Sequence, residues 1–315
     1  MYDYLKYRIP GNSIVTEKGA FLVHKNLEDF SGFVVSDFLK KNLFAFHSGT
    51  AVNESIDIKP PAVLSREEYL TNGDKFLREI KELDLGKAVL SRIKKVSIKS
   101  SAKDKLFEAL CIKYPNAFVY EITSHTLGHW IGATPEKLIE GRNQDFETVA
   151  LASTKSADDI TEWNEKEVAE QDMVTRFIED ELNQLCISFS LQNRSELIAG
   201  PVKHLRTKFT SIRGNDAMQL IDVLHPTPAV SGSPRFEAID LIKRSECHDR
   251  LLYTGFLGLI EETVNVYVNL RCLQIIGNNA YLYLGGGYTK DSVVENEWDE
   301  TENKAKTLME VIENL

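Results

Sequence analysis

The sequence predicts a mixed α+β fold whose strands are mainly antiparallel. Three observations indicate this class: predicted strands outnumber predicted helices, several strands are joined by short turns, and strands and helices do not alternate as they do in a parallel sheet. With 315 residues and a hydrophobic content of 43%, the chain can bury a large core in one or two domains.

The first half of the chain is predicted to combine strands with three helices. Ser65 followed by Glu68 is a capping-box pattern that opens a helix extending to about residue 83. Further helices are expected near 104–113 and over about 162–185. Apolar runs rich in β-branched and aromatic residues predict strands at 14–23, 33–38, 43–47, 87–98, 117–122, 127–133 and 146–152.

The second half continues the same mixture without repeating the sequence. Val264, Val266 and Val268 alternate with polar residues, as in a half-buried strand. The turn at Gly277-Asn278-Asn279 predicts a hairpin that joins this strand to another at 280–284. The remaining predicted elements are strands near 195–204 and 206–213 and helices near 215–224, 234–244 and 293–313.

Composition and charge exclude several classes of protein. The formal net charge is −10, which argues against general nucleic-acid or anionic-membrane binding. No signal peptide or apolar stretch of membrane-spanning length is visible, and the four cysteines are scattered. We therefore expect a cytoplasmic protein that is a monomer or a weak dimer, with no nucleic-acid or membrane partner.

The helix predicted over 162–185 carries carboxylates on its apolar stripe. At 3.6 residues per turn, Glu167 and Glu170 fall on the same face as Val174, Phe177 and Ile178. A carboxylate facing a core costs several kcal/mol, on the order given for buried charges, unless something compensates it.

The last predicted helix repeats the pattern. Glu297, Glu300 and Lys304 share a face with Val311 and Ile312. Either the helix ends emerge into water and these charges are hydrated, or the two i, i+3 glutamate pairs meet around a hard cation. Carboxylate oxygens from two helices, with retained water, suit Mg²⁺.

Other polar or flexible positions are ambiguous when taken singly. Gly285-Gly286-Gly287 is either a tight turn or a backbone segment that approaches an anion closely. His225 precedes a proline-rich turn and could have either a structural or a functional role. His125 and His129 are weak candidates for metal ligands. Lys87, at the start of a predicted strand, would by position alone be an ordinary charged residue at the edge of a sheet.

Taken together, the motifs from about Ser65 to the C-terminus resemble the chorismate-utilising enzymes, which include isochorismate, anthranilate, aminodeoxychorismate and salicylate synthases. The matching segments are 86–92 (GKAVLSR), 132–138 (GATPEKL), 150–154 (ALAST), 166–170 (KEVAE), 224–234, 249–258, 270–271, 285–287 and 297–301 (EWDET). Their order and spacing over some 230 residues make chance agreement very improbable.

The resemblance implies two large, mainly antiparallel sheets packed together with helices outside, and Mg²⁺ beside the substrate carboxylate. Glu170 and Glu300 match the direct ligands of the family, and Glu167 and Glu297 match an outer pair that orients bound water. It also divides the chain into a chorismate-binding core, 65–315, and a short β-rich part, 1–64, of the same domain.

Reaction type follows from residues that match the family's acid and base. Isochorismate formation needs a base that activates water at C2, which Lys87 matches, and an acid that protonates the departing C4 hydroxyl, which Glu136 matches. The pocket should then favour a neutral lysine and a protonated glutamate. Anthranilate-type enzymes generally have glutamine where Lys87 stands, so no glutamine amidotransferase partner is expected.

Substrate contacts are implied in the same way. Arg271 and Lys304 match residues that bind the carboxylates of chorismate, assisted by Thr154 and by the amides of Gly285, Gly286 and Gly287, while His225 resembles the isochorismate type. Two departures from the family pattern are Ser153, where a glycine is usual, and the segment 249–253, which lacks a usual glycine and tryptophan.

The resemblance therefore implies an isomerase, an isochorismate synthase of a menaquinone or siderophore pathway. Two alternatives stay open: a salicylate synthase, which eliminates pyruvate from the same intermediate, and a chorismate-binding protein without catalytic activity.

Overall fold

The structure is a computed structural model that describes residues 1–25, 30–52, 54–199, 202–213 and 216–315. Its helices are α1 (Arg66–Glu82), α2 (Ser100–Lys113), α3 (Glu165–Gln184), α4 (Ala217–Leu224), α5 (Arg235–Ser245) and α6 (Val294–Glu313). Its strands are β1 (Asp3–Arg8), β2 (Val15–His24), β3 (Gly32–Ser36), β4 (Leu43–Ser48), β5 (Lys87–Ser97), β6 (Phe118–Ser124), β7 (Gly128–Thr134), β8 (Lys137–Arg142), β9 (Asp145–Ser156), β10 (Ser190–Leu191), β11 (Ser195–Ala199), β12 (Val202–Arg213), β13 (Gly232–Ser233), β14 (Phe256–Ile260), β15 (Thr263–Val268), β16 (Cys272–Ile276) and β17 (Asn279–Tyr288).

The strands pair in one continuous antiparallel path. It runs β13–β5–β17–β16–β7–β6–β1–β2–β4–β3–β14–β15–β8–β9–β12, with β10 and β11 both paired to β12. The path doubles back on itself, so that the strands from β5 to β1 form one layer and those from β3 to β12 form another. The predicted α+β class and the two packed sheets are confirmed.

An aromatic core lies between the two layers. Phe118 of β6 stacks on Tyr267 of β15 with ring centroids 4.6 Å apart, and Tyr7 of β1 lies 5.5 Å from Phe33 of β3. Trp130 of β7 is completely buried in the same cluster. Each such side chain removes about 150–250 Å² from water, so this interior fixes the distance and register between the layers.

The helices cover the outer faces, as predicted. Helices α2 and α6 pack through Leu106 and Leu308 on the β5–β17–β16–β7–β6 layer. Helices α3 and α4 cover the β8–β9–β12 side through Val174 and Leu220. Helix α1 begins with the predicted capping box, in which Ser65 and Glu68 bond each other's backbone N–H groups, and it packs with α5 against the start of β5.

One predicted hairpin is wrong, and six strands were not predicted: β1, β8, β10, β13, β14 and β16. Gly277 does form the turn, but the strand before it is β16, not the strand containing Val264. The latter strand, β15, pairs with β14 and β8. The extended backbone is interrupted between β15 and β16 at Arg271, whose φ of +49° is left-handed. The pattern of apolar and polar residues does not reveal such an interruption.

Strand and helix boundaries also differ in two places. The strands predicted at 195–204 and 206–213 are β11, which ends at Ala199, and β12, which begins at Val202 and runs through the expected break. Helix α3 starts after Asn164, whose side chain caps it. In the described part of the chain, no helix is both long enough and apolar enough to cross a membrane.

Candidate active site

Lys87 lies at the first position of β5, where its side chain is enclosed by the neighbouring strand β17. The residue is 8% exposed. A Cβ atom built on Gly287 would lie 2.6 Å from Cε and 3.2 Å from Nζ of Lys87. Because the lysine side chain crosses the backbone at this point, a side chain at position 287 would displace the end of Lys87. The predicted base and the triple glycine therefore belong to one site.

Glu136 follows β7 in the turn before β8, and its carboxyl interacts electrostatically with Lys87. Its backbone carbonyl accepts a hydrogen bond of 2.9 Å from Val268 N–H, which fixes the turn. Burial raises the pKa of the Glu136 carboxyl to about 7, although Lys87, Lys304 and Arg271 all act to lower it. The residue keeps some exposure to solvent. The predicted acid is thus substantially protonated near neutral pH.

Two predicted carboxylate-binding cations lie close together: Lys304 belongs to α6, and Arg271, between β15 and β16, contacts this helix. Arg271 Nη1 donates to the Lys304 carbonyl at 3.0 Å and to Thr307 Oγ1 at 3.2 Å. The Lys304 ammonium donates to the Gly285 carbonyl at 2.7 Å and pairs with Glu300 at 2.5 Å. Burial lowers the pKa of the Arg271 guanidinium, which nevertheless stays charged at neutral pH.

On the same helix, the environments of Glu297 and Glu300 differ. Glu297 is 7% exposed; its Oε1 accepts a 2.7 Å bond from Ser292 Oγ, while its Oε2 is buried without a hydrogen-bond partner. Burial and the nearby charge of Glu300 raise the pKa of Glu297 to about 7. The charge of Lys304 instead lowers the pKa of Glu300. An unpaired buried carboxylate oxygen is costly and calls for a cation or donor.

The two predicted carboxylates of α3 lie in its first two turns. Glu167 completes the capping box by accepting a 2.8 Å bond from Asn164 N–H, and it also pairs with Lys155 at 3.2 Å. Glu170 Oε2 lies 3.2 Å from Ser153 Oγ. Lys166, in the first turn, acts electrostatically on Glu297, so the starts of α3 and α6 face the same region.

Whether the two helices hold magnesium stays a prediction. Within the described ranges, no group of three or more acidic, histidine or cysteine side chains is close enough to hold a metal ion. The donor set still fits a hard cation, because it consists of carboxylate oxygens and includes the unpaired Oε2 of Glu297. The capping box shows, in addition, that Glu167 has a structural role without any metal.

For two predicted substrate contacts, His225 and Thr154, the structure gives no position in the site. His225 is 1% exposed; its Nε2 donates to the Phe38 carbonyl at 3.2 Å, and its ring packs edge-on against Phe256. Burial lowers its pKa to about 3, so it is neutral. These contacts belong to the core, and its role as a substrate contact stays a prediction. The side chain of Thr154 lies outside the described residues.

Two residues near the site were missed by the sequence reasoning. The hydroxyl of Tyr253 lies 2.8 Å from the position of a Cβ on Gly285, and Tyr253 interacts electrostatically with Arg271. His204 Nδ1 donates to the Ser153 carbonyl at 3.2 Å; burial lowers its pKa, and Arg271 and Lys304 lower it further. Tyr253 lies inside a matched motif, whereas a single histidine in a strand gives no periodic signal.

Comparison with known proteins identifies the family. The sequence model of the chorismate binding enzymes matches residues 32–313, which is most of the chain. The chain belongs to this family. Four residues of the family resemblance, Lys87, Glu136, Arg271 and Lys304, lie within the matched range, and the three cations each act electrostatically on Glu136.

Individual relatives include more than one kind of family member. The chain is 28% identical to isochorismate synthase EntC of Escherichia coli K12 over 241 residues, covering 71% of this chain and 62% of EntC. It is 25% identical to anthranilate synthase component 1 of Aquifex aeolicus over 266 residues, covering 79% of this chain and 53% of that protein. The chain thus spans only part of the length of these relatives.

A solved structure of the family shares the fold. The menaquinone-specific isochorismate synthase MenF from E. coli superimposes with a TM-score of 0.82 at 22% sequence identity, covering 99% of this chain and 89% of MenF. At this identity the likeness establishes the fold of the family member described here, and its activity has to be argued from its own residues.

Proposed function

We propose that this protein is a magnesium-dependent isochorismate synthase. In the proposed reaction water adds at C2 of chorismate, the ring double bonds shift, and the C4 hydroxyl leaves as water, so that the product is an isomer of the substrate. One observation carries the proposal: Glu136 has a pKa raised to about 7 by burial and interacts with the buried Lys87. A protonated acid beside an amine is the pair that this exchange of hydroxyl groups requires.

The two groups divide the proton transfers between them. In the proposed reaction Lys87 accepts a proton from the attacking water, and protonated Glu136 donates its proton to the departing hydroxyl. After one turnover the lysine holds the extra proton and the glutamate is ionised. The electrostatic interaction between them supports return of that proton before the next cycle.

Binding of a dianionic substrate to an acidic protein requires local cations. Arg271 and Lys304 supply two positive charges, and both act on the carboxyl of Glu136. Because Lys304 is already paired with Glu300, a substrate carboxylate would compete with this ion pair. Arg271, held by two bonds to α6, presents a fixed guanidinium of the kind that binds carboxylates bidentately.

The magnesium assignment rests on the carboxylates of the two facing helices. Glu300 of α6 and Glu170 of α3 would hold the ion directly, and Glu297 and Glu167 would orient its bound water. The unpaired Oε2 of Glu297 would be an acceptor for such a water. When bound, the ion would add positive charge beside the substrate carboxylate.

The test is incubation of purified protein with chorismate and Mg²⁺, followed by chromatographic analysis of the products. We expect isochorismate, no product after Lys87→Ala substitution, and unchanged folding of that variant by circular dichroism. Folded wild-type protein that leaves chorismate intact would reject the proposal, and tight chorismate binding without turnover would favour the non-catalytic alternative.

Two related activities are distinguished in the same assay. A salicylate synthase would release salicylate and an equal amount of pyruvate, which fluorescence and a coupled pyruvate assay detect. The match to anthranilate synthase component 1 makes anthranilate the second product to measure, with ammonium salts added. We propose that neither forms and that no amidotransferase partner is needed, because a lysine stands at position 87.

A further inference from the structure

Ser153 has a backbone conformation that disfavours residues with a side chain. Its φ is +54°, in the left-handed region that glycine adopts freely and other residues adopt at an energetic cost. The strand pairing changes register here, because His204 of β12 faces Thr154 whereas Leu205 faces Ala152. Ser153 is therefore the extra residue of a β-bulge, a position typically occupied by glycine when it is left-handed.

The serine hydroxyl makes contacts that glycine could not. Ser153 Oγ lies 2.7 Å from the carbonyl oxygen of Glu167 and 3.2 Å from Oε2 of Glu170. The backbone carbonyl of the same residue accepts a bond from His204. One strained residue thus joins β9, β12 and the first turn of α3.

Both hydroxyl contacts act on the position of one carboxylate. The shorter one ties the bulge to the backbone at the start of α3, and the longer one reaches the side chain of Glu170 itself. The hydroxyl has a single proton, so it donates to one of the two oxygens at a time. Donation to the Glu167 carbonyl fixes the helical turn that precedes Glu170, and donation to Oε2 fixes the carboxylate itself.

We propose that Ser153 is a positioning residue that orients Glu170 for cation binding. Its hydroxyl would restrict the movement of the Glu170 carboxylate, which glycine at this position would leave unrestrained. The inference rests on the proposed function in one respect, the assignment of Glu170 to the magnesium site. Residues that orient a metal ligand typically change affinity by about 10- to 100-fold when they are removed.

Two substitutions separate the hydroxyl from the backbone strain. S153A removes the hydroxyl and keeps a side chain at positive φ, whereas S153G removes both. We expect the dissociation constant for Mg²⁺, measured by calorimetry with and without bound chorismate, to rise by roughly tenfold in both variants. S153G should unfold at a higher temperature than S153A in metal-free buffer. S156A, an exposed serine of the same strand, is the matched control and should leave both measurements unchanged.

Kinetics provide an independent check. In both Ser153 variants the Mg²⁺ concentration for half-maximal turnover should rise by a similar factor, while kcat at saturating Mg²⁺ stays within about twofold of the wild type. A lower kcat with unchanged Mg²⁺ dependence would contradict the positioning role and assign Ser153 to the reacting groups instead.

A double-mutant cycle tests the contact without metal or substrate. S153A, E170A and the double variant are unfolded with urea in the presence of a chelator. We expect coupling of roughly threefold or more in the unfolding equilibrium constant, since groups in contact are not additive. Additive effects, native Mg²⁺ affinity in S153G, or no Mg²⁺ binding by the wild type would each overturn the inference. Absence of isochorismate would instead reject the proposed function while leaving this cycle interpretable.

Discussion

Gly287 and Lys87 occupy adjacent strands such that the lysine side chain passes over the glycine, with only 2.6 Å between Cε and the place of a Cβ. We therefore expect Gly287→Ala to displace the ammonium of Lys87 and to lower kcat/KM by roughly 10²-fold, as small misplacements of reacting groups do. The atoms that must move are the flexible end of a side chain, so the melting temperature should change little.

Gly86→Ala provides the control for this substitution. A Cβ on Gly86 would approach only the flexible end of Met173, at 3.3 Å, and the Ser233 carbonyl, at 3.5 Å. It changes the residue next to Lys87 without entering the space of its side chain. Equal losses of activity in both variants would contradict the specific contact between Gly287 and Lys87.

Glu136 should set the alkaline limit of activity. Its pKa is raised to about 7 by burial, and a general acid works only when protonated, so kcat/KM should fall as pH rises through about 7. Glu136→Gln should lower kcat by about 10²- to 10⁴-fold and remove this limb of the profile. Isochorismate and chorismate would be quantified by chromatography from pH 5.5 to 9. A wild-type rate that still increases above pH 8 would argue against Glu136 as the acid.

The parts of this arrangement that the sequence predicted share a physical basis. Periodicity places Glu297 on the buried face of α6 and Glu170 near the start of α3, because one side of a helix has to face a core. Glu300, predicted on the same face as Glu297, is 49% exposed instead. Cap chemistry gave the start of α1, where Ser65 and Glu68 bond each other's backbone. These signals are local, and the structure preserves them.

Features that depend on contacts between distant segments of the chain were predicted less accurately. Strand β16 pairs with β7 and β17, and its separation from β15 depends on one left-handed residue, Arg271. Lys87 and Glu136 were identified through the family resemblance, since each alone is an ordinary charged residue in a strand or turn. Tyr253 belongs to the site because of where the 249–253 segment packs, which spacing alone does not encode.

Glu297 should destabilise the protein in the absence of a cation. Its Oε2 is buried without a partner, and its pKa is raised to about 7 by burial and by Glu300. A raised folded-state pKa means that folding stability declines as pH rises from about 4.5 to 7 and stays lower above that. Glu297→Gln should therefore raise the free energy of unfolding by about 1–2 kcal/mol at pH 8 without metal.

Urea unfolding at pH 5 and pH 8, with a chelator present, measures this difference. Glu295→Gln, in the exposed first turn of the same helix, is the matched control and should change stability by less than about 0.5 kcal/mol. With Mg²⁺ added, the order should reverse, because the wild type binds the cation more tightly than the glutamine variant does. A Glu297→Gln variant that is less stable without metal would exclude the unpaired-carboxylate argument.

Arg92 should control the placement of the whole carboxylate-bearing helix. Its guanidinium is buried, donates to Thr301 Oγ1 at 2.7 Å, pairs with Glu302, and stacks 3.8 Å from the ring centroid of Trp298. All three partners lie on α6, on turns adjacent to Glu300. Arg92→Met leaves Thr301 and Glu302 without their buried partner, so we expect a loss of about 2–4 kcal/mol of stability.

Lys94→Met separates the charge of this cluster from its geometry. Lys94 also pairs with Glu302, at 2.5 Å, but is more exposed, so its loss should cost less than about 1 kcal/mol. Arg92→Lys keeps a positive charge near Glu302 and loses the planar fork on Thr301 and Trp298. If the planar guanidinium of Arg92 positions α6, Arg92→Lys should raise KM for chorismate severalfold, whereas Lys94→Met should not. Steady-state kinetics at saturating Mg²⁺ measure this difference. Equal effects of the two substitutions would mean that charge at Glu302 alone, and not the orientation of the helix, supports the site.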